Sequence, residues 1–167
     1  MIGFTIASFI LFAGFVFFGA AKFGLLRSYS AYAAKWDEAV PMESDTHLWS
    51  IVTIACAFMM AIPMIEAGVG SPLQFLGLFT PGYLMAVGFT PKYETVRKQR
   101  IIHYVCTALC ATAAMAWLVF VRHDALYILC CAAVLGFAAF CSKTYRTSLV
   151  FWLEMIMFAS VFTSLLF

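Results

Sequence analysis

Apolar residues come in long runs along this chain, and polar residues fall in short gaps between them. A helix needs about 20 apolar residues to cross the hydrocarbon core of a bilayer. Six runs approach that length: 2–26, 48–69, 73–90, 101–121, 125–141 and 148–167. The third and fifth are the shortest, which predicts less tilt or a partly re-entrant path. The pattern predicts an all-α fold, a polytopic transmembrane bundle of six spans forming one domain over residues 1–167.

The gaps carry their own signals. Tyr29, Tyr32, Trp36 and Val40 recur at spacings of three and four, which puts them on one helical face. They predict a short interfacial helix ended by Pro41, or a cover over a cytoplasmic vestibule. Ser44, Asp45 and Thr46 offer N-caps for the second span, and Asp124 offers one for the fifth. Thr90-Pro91 predicts that the fourth helix begins before the membrane, with residues 93–100 as a cytoplasmic turn or two. Trp49, Tyr93, Tyr104, Tyr145 and Trp152 fall where a cytoplasmic aromatic belt would lie, and Trp117 and Tyr127 where an outer one would.

Composition excludes the alternatives to a membrane. Hydrophobic residues are 65% of the 167, and charged residues are 11%, against about 25% in a soluble domain. Mean hydropathy is +0.98. Basic residues are too few, and too close to the spans, for a nucleic-acid surface. Their distribution sets orientation. Lys22, Arg27, Lys35, Lys92, Arg97, Lys98, Arg100, Lys143 and Arg146 flank alternate gaps, and Arg122 alone flanks the others. Cytoplasmic loops collect Lys and Arg, so those nine are expected inside and both termini outside, in a bacterial cytoplasmic membrane. No basic segment precedes the first run, so an uncleaved first helix is expected rather than a signal peptide.

A few residues break the pattern. Glu154 lies about two turns into the sixth span, where an unpaired carboxylate costs about 3 kcal/mol on insertion scales. It marks a proton or cation site, an acid/base, or an interhelical hydrogen bond. His103 sits just inside the fourth span, and Lys22 one turn from the cytoplasmic end of the first. Glu154, His103 and Lys22 form the candidate intramembrane polar site, although Lys22 is also placed to snorkel. Cys106 and Cys110 share a helical face with His103. Two thiolates and an imidazole suit a soft metal, but a structural site wants four ligands, so no metal and no cofactor are expected. Glu66 near the outer end of the second span could meet Arg122 or His123. Pro63 and Pro81 predict helix kinks, with Gly77, Gly82 and Gly88 near the second. The stripes Ala20/Gly24 and Ala108/Thr112/Ala116 predict close helix contacts. Arg97, Lys98, Arg100, Lys143 and Arg146 form a cytoplasmic basic surface, explained by topology or by anionic lipid.

The run from Pro91 to Tyr104, with Lys92, Arg97, Lys98, Arg100 and His103, resembles a loop-to-helix element of small bacterial multi-pass inner-membrane proteins. A more distant similarity is to the alkaline-ceramidase-like hydrolase superfamily, whose members use Ser, Asp and several His around a metal near the cytoplasmic face. That resemblance implies Ser30, Asp45 and His103 as analogues. Only His47 and His123 remain as further histidines, so no roles are carried over. The leading functional expectation is a small transporter, channel or membrane-complex subunit with a polar pocket in the cytoplasmic half. The alternatives are a membrane-embedded enzyme acting on lipid or prenyl substrates and a structural or assembly subunit. Expected partners are membrane lipids and either copies of the chain or another membrane subunit, with no nucleic acid.

Overall fold

The computed structural model describes residues 2–39, 47–124, 132, 136–137, 140–141 and 148–167. The described elements are α1 (Ile2–Phe23), α2 (Tyr32–Ala39), α3 (Leu48–Ala67), α4 (Leu76–Gly88), α5 (Arg97–Phe120) and α6 (Leu149–Leu166). α1, α3, α5 and α6 are long and apolar enough to cross a membrane. Their outward faces carry large apolar side chains such as Phe17, Phe18 and Ile101. That surface is costly in water and at home in lipid, and the chain is an integral membrane protein.

Two expected spans end early, for local reasons. α1 stops at Phe23 because Gly24 takes a φ of +75°, which favours glycine, while its N–H still bonds Ala20 O at 2.9 Å. The third expected span shrinks to α4, 13 residues or about 20 Å. The residues before it fold back on α3: Ser71 O and Oγ receive the N–H groups of Gln74 and Leu73, and Gln74 Nε2 donates to Ile65 O at 3.2 Å. α5 starts at Arg97, ahead of the apolar run, after a turn over 91–95. The expected fifth span, Lys143 and Arg146, and the caps Ser44, Asp45 and Thr46 lie outside the described residues.

Contacts fix the helix directions. Phe9 meets Phe162 and Phe12 meets Phe158, so α1 and α6 run antiparallel, with the start of α1 and the end of α6 at one end of the bundle. Trp49 lies beside His103, while Trp117 Nε1 donates to Met64 O at 3.2 Å, so α3 and α5 run parallel. α4 runs against both. A Cβ on Gly77 would lie 2.7 Å from Met64 O, and one on Gly88 would lie 2.8 Å from the Ile54 side chain. On the other side, Cys110 Sγ reaches Thr80 O at 3.3 Å. At the far end, Arg122 Nε and Nη2 donate to Ser164 Oγ and O at 2.9 and 2.6 Å, and Ser164 Oγ donates to Asp124 Oδ2.

Several aromatic residues expected at the interfaces are core instead. Trp49 and Trp117 are fully buried and Tyr93 is nearly so. The face of Tyr29, Tyr32 and Trp36 also turns inward. Tyr29 lies among Phe12, Phe15 and Trp49, and Tyr32 packs on Phe151 and Gly19. The segment leading into α2 is therefore packed into the end of the bundle. Ala108 and Thr112 are exposed and Ala116 is half-buried, so among the described residues this stripe makes no close seam, and Gly24 serves as a helix end.

Candidate functional site

α1 ends at Gly24, so the chain reverses through Arg27, Ser28, Tyr29 and Ser30 before α2. This reversal is pinned to the start of α6. Phe151 N–H donates to Arg27 O at 3.0 Å, and Tyr29 N–H donates to Glu154 Oε2 at 2.5 Å. Tyr29 Oη also bonds Thr53 Oγ1 at 3.0 Å on α3. Burial pushes the Tyr29 phenol above its ordinary value, with the Thr53 bond offsetting part of the effect. Glu154 is thus held by a backbone donor, and its Oε1 is left without a described partner.

His103 is fixed from the opposite wall. Its ring stacks on Tyr93 at 4.0 Å and 11°, and its Nδ1 lies 2.8 Å from Thr90 Oγ1. Thr90 Oγ1 is also 2.6 Å from Val87 O, a carbonyl that can only accept. The single hydroxyl proton is committed there, so Thr90 accepts from His103 Nδ1–H. The neutral imidazole is then the Nδ1–H tautomer, and Nε2 keeps its lone pair with no described partner. The ring is only 2% exposed. Tyr93 Oη donates to Glu94 Oε1 at 3.3 Å, and burial raises the Tyr93 phenol above its ordinary value.

Between these walls lies a polar cavity of about 640 Å³, lined by Arg27, Ser28, Ser30, Arg100, His103 and Glu154 among others. Arg100 Nε donates to Tyr93 O at 3.2 Å, and its Nη2 donates to Glu94 O. Arg27 is exposed, and its guanidinium makes no described bond. A second cavity, about 350 Å³, runs into the bundle between α4, α5 and α6 and is almost wholly apolar. The two share Ser30, His103, Thr107, Val150 and Glu154. Thr107 Oγ1 is buried there with no hydrogen-bond partner. The two cavities adjoin at these five residues: one is polar and carries Arg27 and Arg100, and the other is apolar.

The candidate polar site therefore divides. Glu154 and His103 face the same space, although neither bonds the other. Lys22 stays outside, its Nζ 5.4 and 5.3 Å from the ring centroids of Phe23 and Trp36. Glu66 is exposed, and Arg122 is engaged with Ser164 instead. Cys106 is half-buried and Cys110 is bonded to Thr80 O. Among the described residues no cluster of three His, Cys, Asp or Glu could hold a metal. Pro63 and Pro81 are buried within continuous helices and line neither composite cavity. Of the basic surface, Arg97 and Lys98 point outward, and Arg100 turns into the polar cavity. Arg27, Ser28, Tyr29, Thr90 and Thr107 were not singled out by sequence for this site. Arg27, Ser28, Tyr29 and Thr90 sit among ordinary loop residues and Thr107 within α5, with no motif to mark them.

No protein-family model, curated protein or solved structure matches this chain.

Proposed function

We propose that this integral membrane protein binds an amphiphilic lipid in the cytoplasmic half of the bilayer, head in the polar cavity and tail in the apolar one. The observation that carries the reading is the shared waist at Ser30, His103, Thr107, Val150 and Glu154. Pockets of 300–1,000 Å³ suit small ligands, and a polar, arginine-lined cavity adjoining an apolar one matches an amphiphile. Six spans with both termini extracytoplasmic are part of this proposal. Parallel α3, α5 and α6 with antiparallel α1 and α4 are the directions such a count requires, and the Lys/Arg bias supports a cytoplasmic polar cavity. The transporter, channel or subunit role expected from sequence uses this same pocket, with a lipid as its cargo or regulator.

A second reading, an enzyme acting on that lipid, is favoured by the His103 tautomer. A fixed Nδ1–H leaves Nε2 as a base facing the same cavities as the Glu154 carboxyl.

Lipid extraction and mass spectrometry of the purified protein test the proposal. Wild type should retain an amphiphile, and Ala111→Phe, which fills the apolar cavity, should lose it while keeping its melting temperature. Identical lipid content in the two proteins would sink the reading.

A further inference from the structure

We infer that the ligand is a single-tailed phospholipid whose tail is followed by a hydroxyl donor and then a phosphate, as in a lysophosphatidate. This rests on the lipid-binding reading above and adds the chemistry of the ligand. The order of groups follows from which residues belong to which cavity. Arg27 and Arg100 line only the polar cavity and are exposed, so cationic charge sits at the mouth. Arg100 spends Nε and Nη2 on the carbonyls of Tyr93 and Glu94, which aims the guanidinium and leaves Nη1 for a ligand. The planar fork of arginine suits phosphate oxygens. Glu94 lines the same mouth and accepts from Tyr93 Oη through Oε1, so two guanidinium groups stand against one carboxylate there.

The waist makes a different demand. His103 Nε2 and Glu154 Oε1 are acceptors without described partners, at residues that line both cavities. Acceptors that face both cavities suit a donor on the ligand just beyond its tail. Thr107 Oγ1, also unpartnered, can take either role. A free fatty acid has no donor there once ionised, and a simple alkyl phosphate has none between tail and phosphate. The apolar cavity limits the tail. At about 350 Å³ it is the smaller of the two cavities, and we match it to a single acyl tail. Whatever follows the phosphate faces the open mouth and is not selected.

Binding of radiolabelled dodecanoyl lysophosphatidate to nanodisc-embedded full-length protein tests this. Unlabelled dodecyl phosphate, dodecanoate and a two-tailed didodecanoyl phosphatidate serve as competitors. Lysophosphatidate should bind at least tenfold more tightly than each. Arg27→Gln should weaken it about tenfold while leaving dodecanoate within twofold. His103→Ala should bring lysophosphatidate and dodecyl phosphate to within threefold of each other. Equal competition by the two-tailed lipid would overturn the single tail, and equal competition by dodecyl phosphate would overturn the donor. Ala111→Phe separates the two levels. If it abolishes binding of all these amphiphiles but lysophosphatidate holds no preference, this inference fails and the lipid-binding reading stands. If it changes the binding of none, the lipid-binding reading fails as well.

Discussion

The Tyr29 backbone N–H and the Glu154 carboxylate meet at 2.5 Å across 125 positions of sequence. This bond joins the reversal after α1 to the second turn of α6, and it makes a costly intramembrane carboxyl part of the architecture. Glu154→Leu should strand the Tyr29 N–H, at about 1–3 kcal/mol for an unsatisfied buried donor. Glu154→Gln keeps an acceptor oxygen and should stay within about 1 kcal/mol of wild type. Thermal unfolding in a fixed detergent separates them. A Leu variant that melts with wild type would mean the bond contributes nothing to the fold.

The α3–α4 seam makes a sharper steric demand. Gly77 has no room for a Cβ, because the obstacle at 2.7 Å is the Met64 backbone carbonyl rather than a movable side chain. Gly77→Ala should force the helices apart and cost about 1–3 kcal/mol. Gly82 lies in the same helix with nothing within 4 Å of its would-be Cβ. Gly82→Ala should be neutral or stabilising by up to about 1 kcal/mol through helix propensity. Paired melting curves check the contrast, and equal loss in both variants would place the cause in the helix rather than the seam.

Hydropathy made the apolar helices legible because lipid-facing side chains dominate each run. α1, α3, α5 and α6 all lie where long runs stood. Glu154 and His103 were legible as outliers because polar atoms among Phe, Leu and Val need a reason. Their surroundings were not. Thr90 becomes the His103 partner only once the turn over 91–95 brings α4's end beside α5. Trp49 and Trp117 read as belt residues because the same amphipathic ring suits an interface and a core, and only packing distinguishes them. Lys22 drew attention by its depth, yet α1 ends one residue later, so its amine reaches the Phe23 and Trp36 rings instead of Glu154.

Tyr29 gives the fold an alkaline limit. Burial raises its phenol above the ordinary 10, so the folded state holds that proton more tightly than the unfolded chain. The resulting stability is fully present below pH 10 and is lost as pH climbs from there toward the folded value. Melting temperatures should therefore fall between about pH 10 and 11.5. Tyr29→Phe removes the ionisation and the Thr53 bond together. It should start lower by about 0.5–1.5 kcal/mol at pH 7 and decline less steeply above pH 10. Parallel slopes for the two proteins would assign the alkaline loss to other groups.

Two serines one turn apart on α6 should respond oppositely to the same truncation. Ser164 Oγ accepts from Arg122 Nε and donates to Asp124, holding the end of α5 against the end of α6. Ser160 Oγ is buried with no partner. Ser164→Ala leaves Asp124 and one Arg122 donor unmatched and should cost about 1 kcal/mol. Arg122 Nη2 still has Ser164 O, which limits the loss. Ser160→Ala removes a desolvated hydroxyl that gains nothing in return, so it should be neutral or mildly stabilising. A double-mutant cycle of Ser164→Ala with Arg122→Gln should show coupling of at least about 0.5 kcal/mol, as expected for contacting residues. Strict additivity there would mean that the clasp does not hold these two helix ends together.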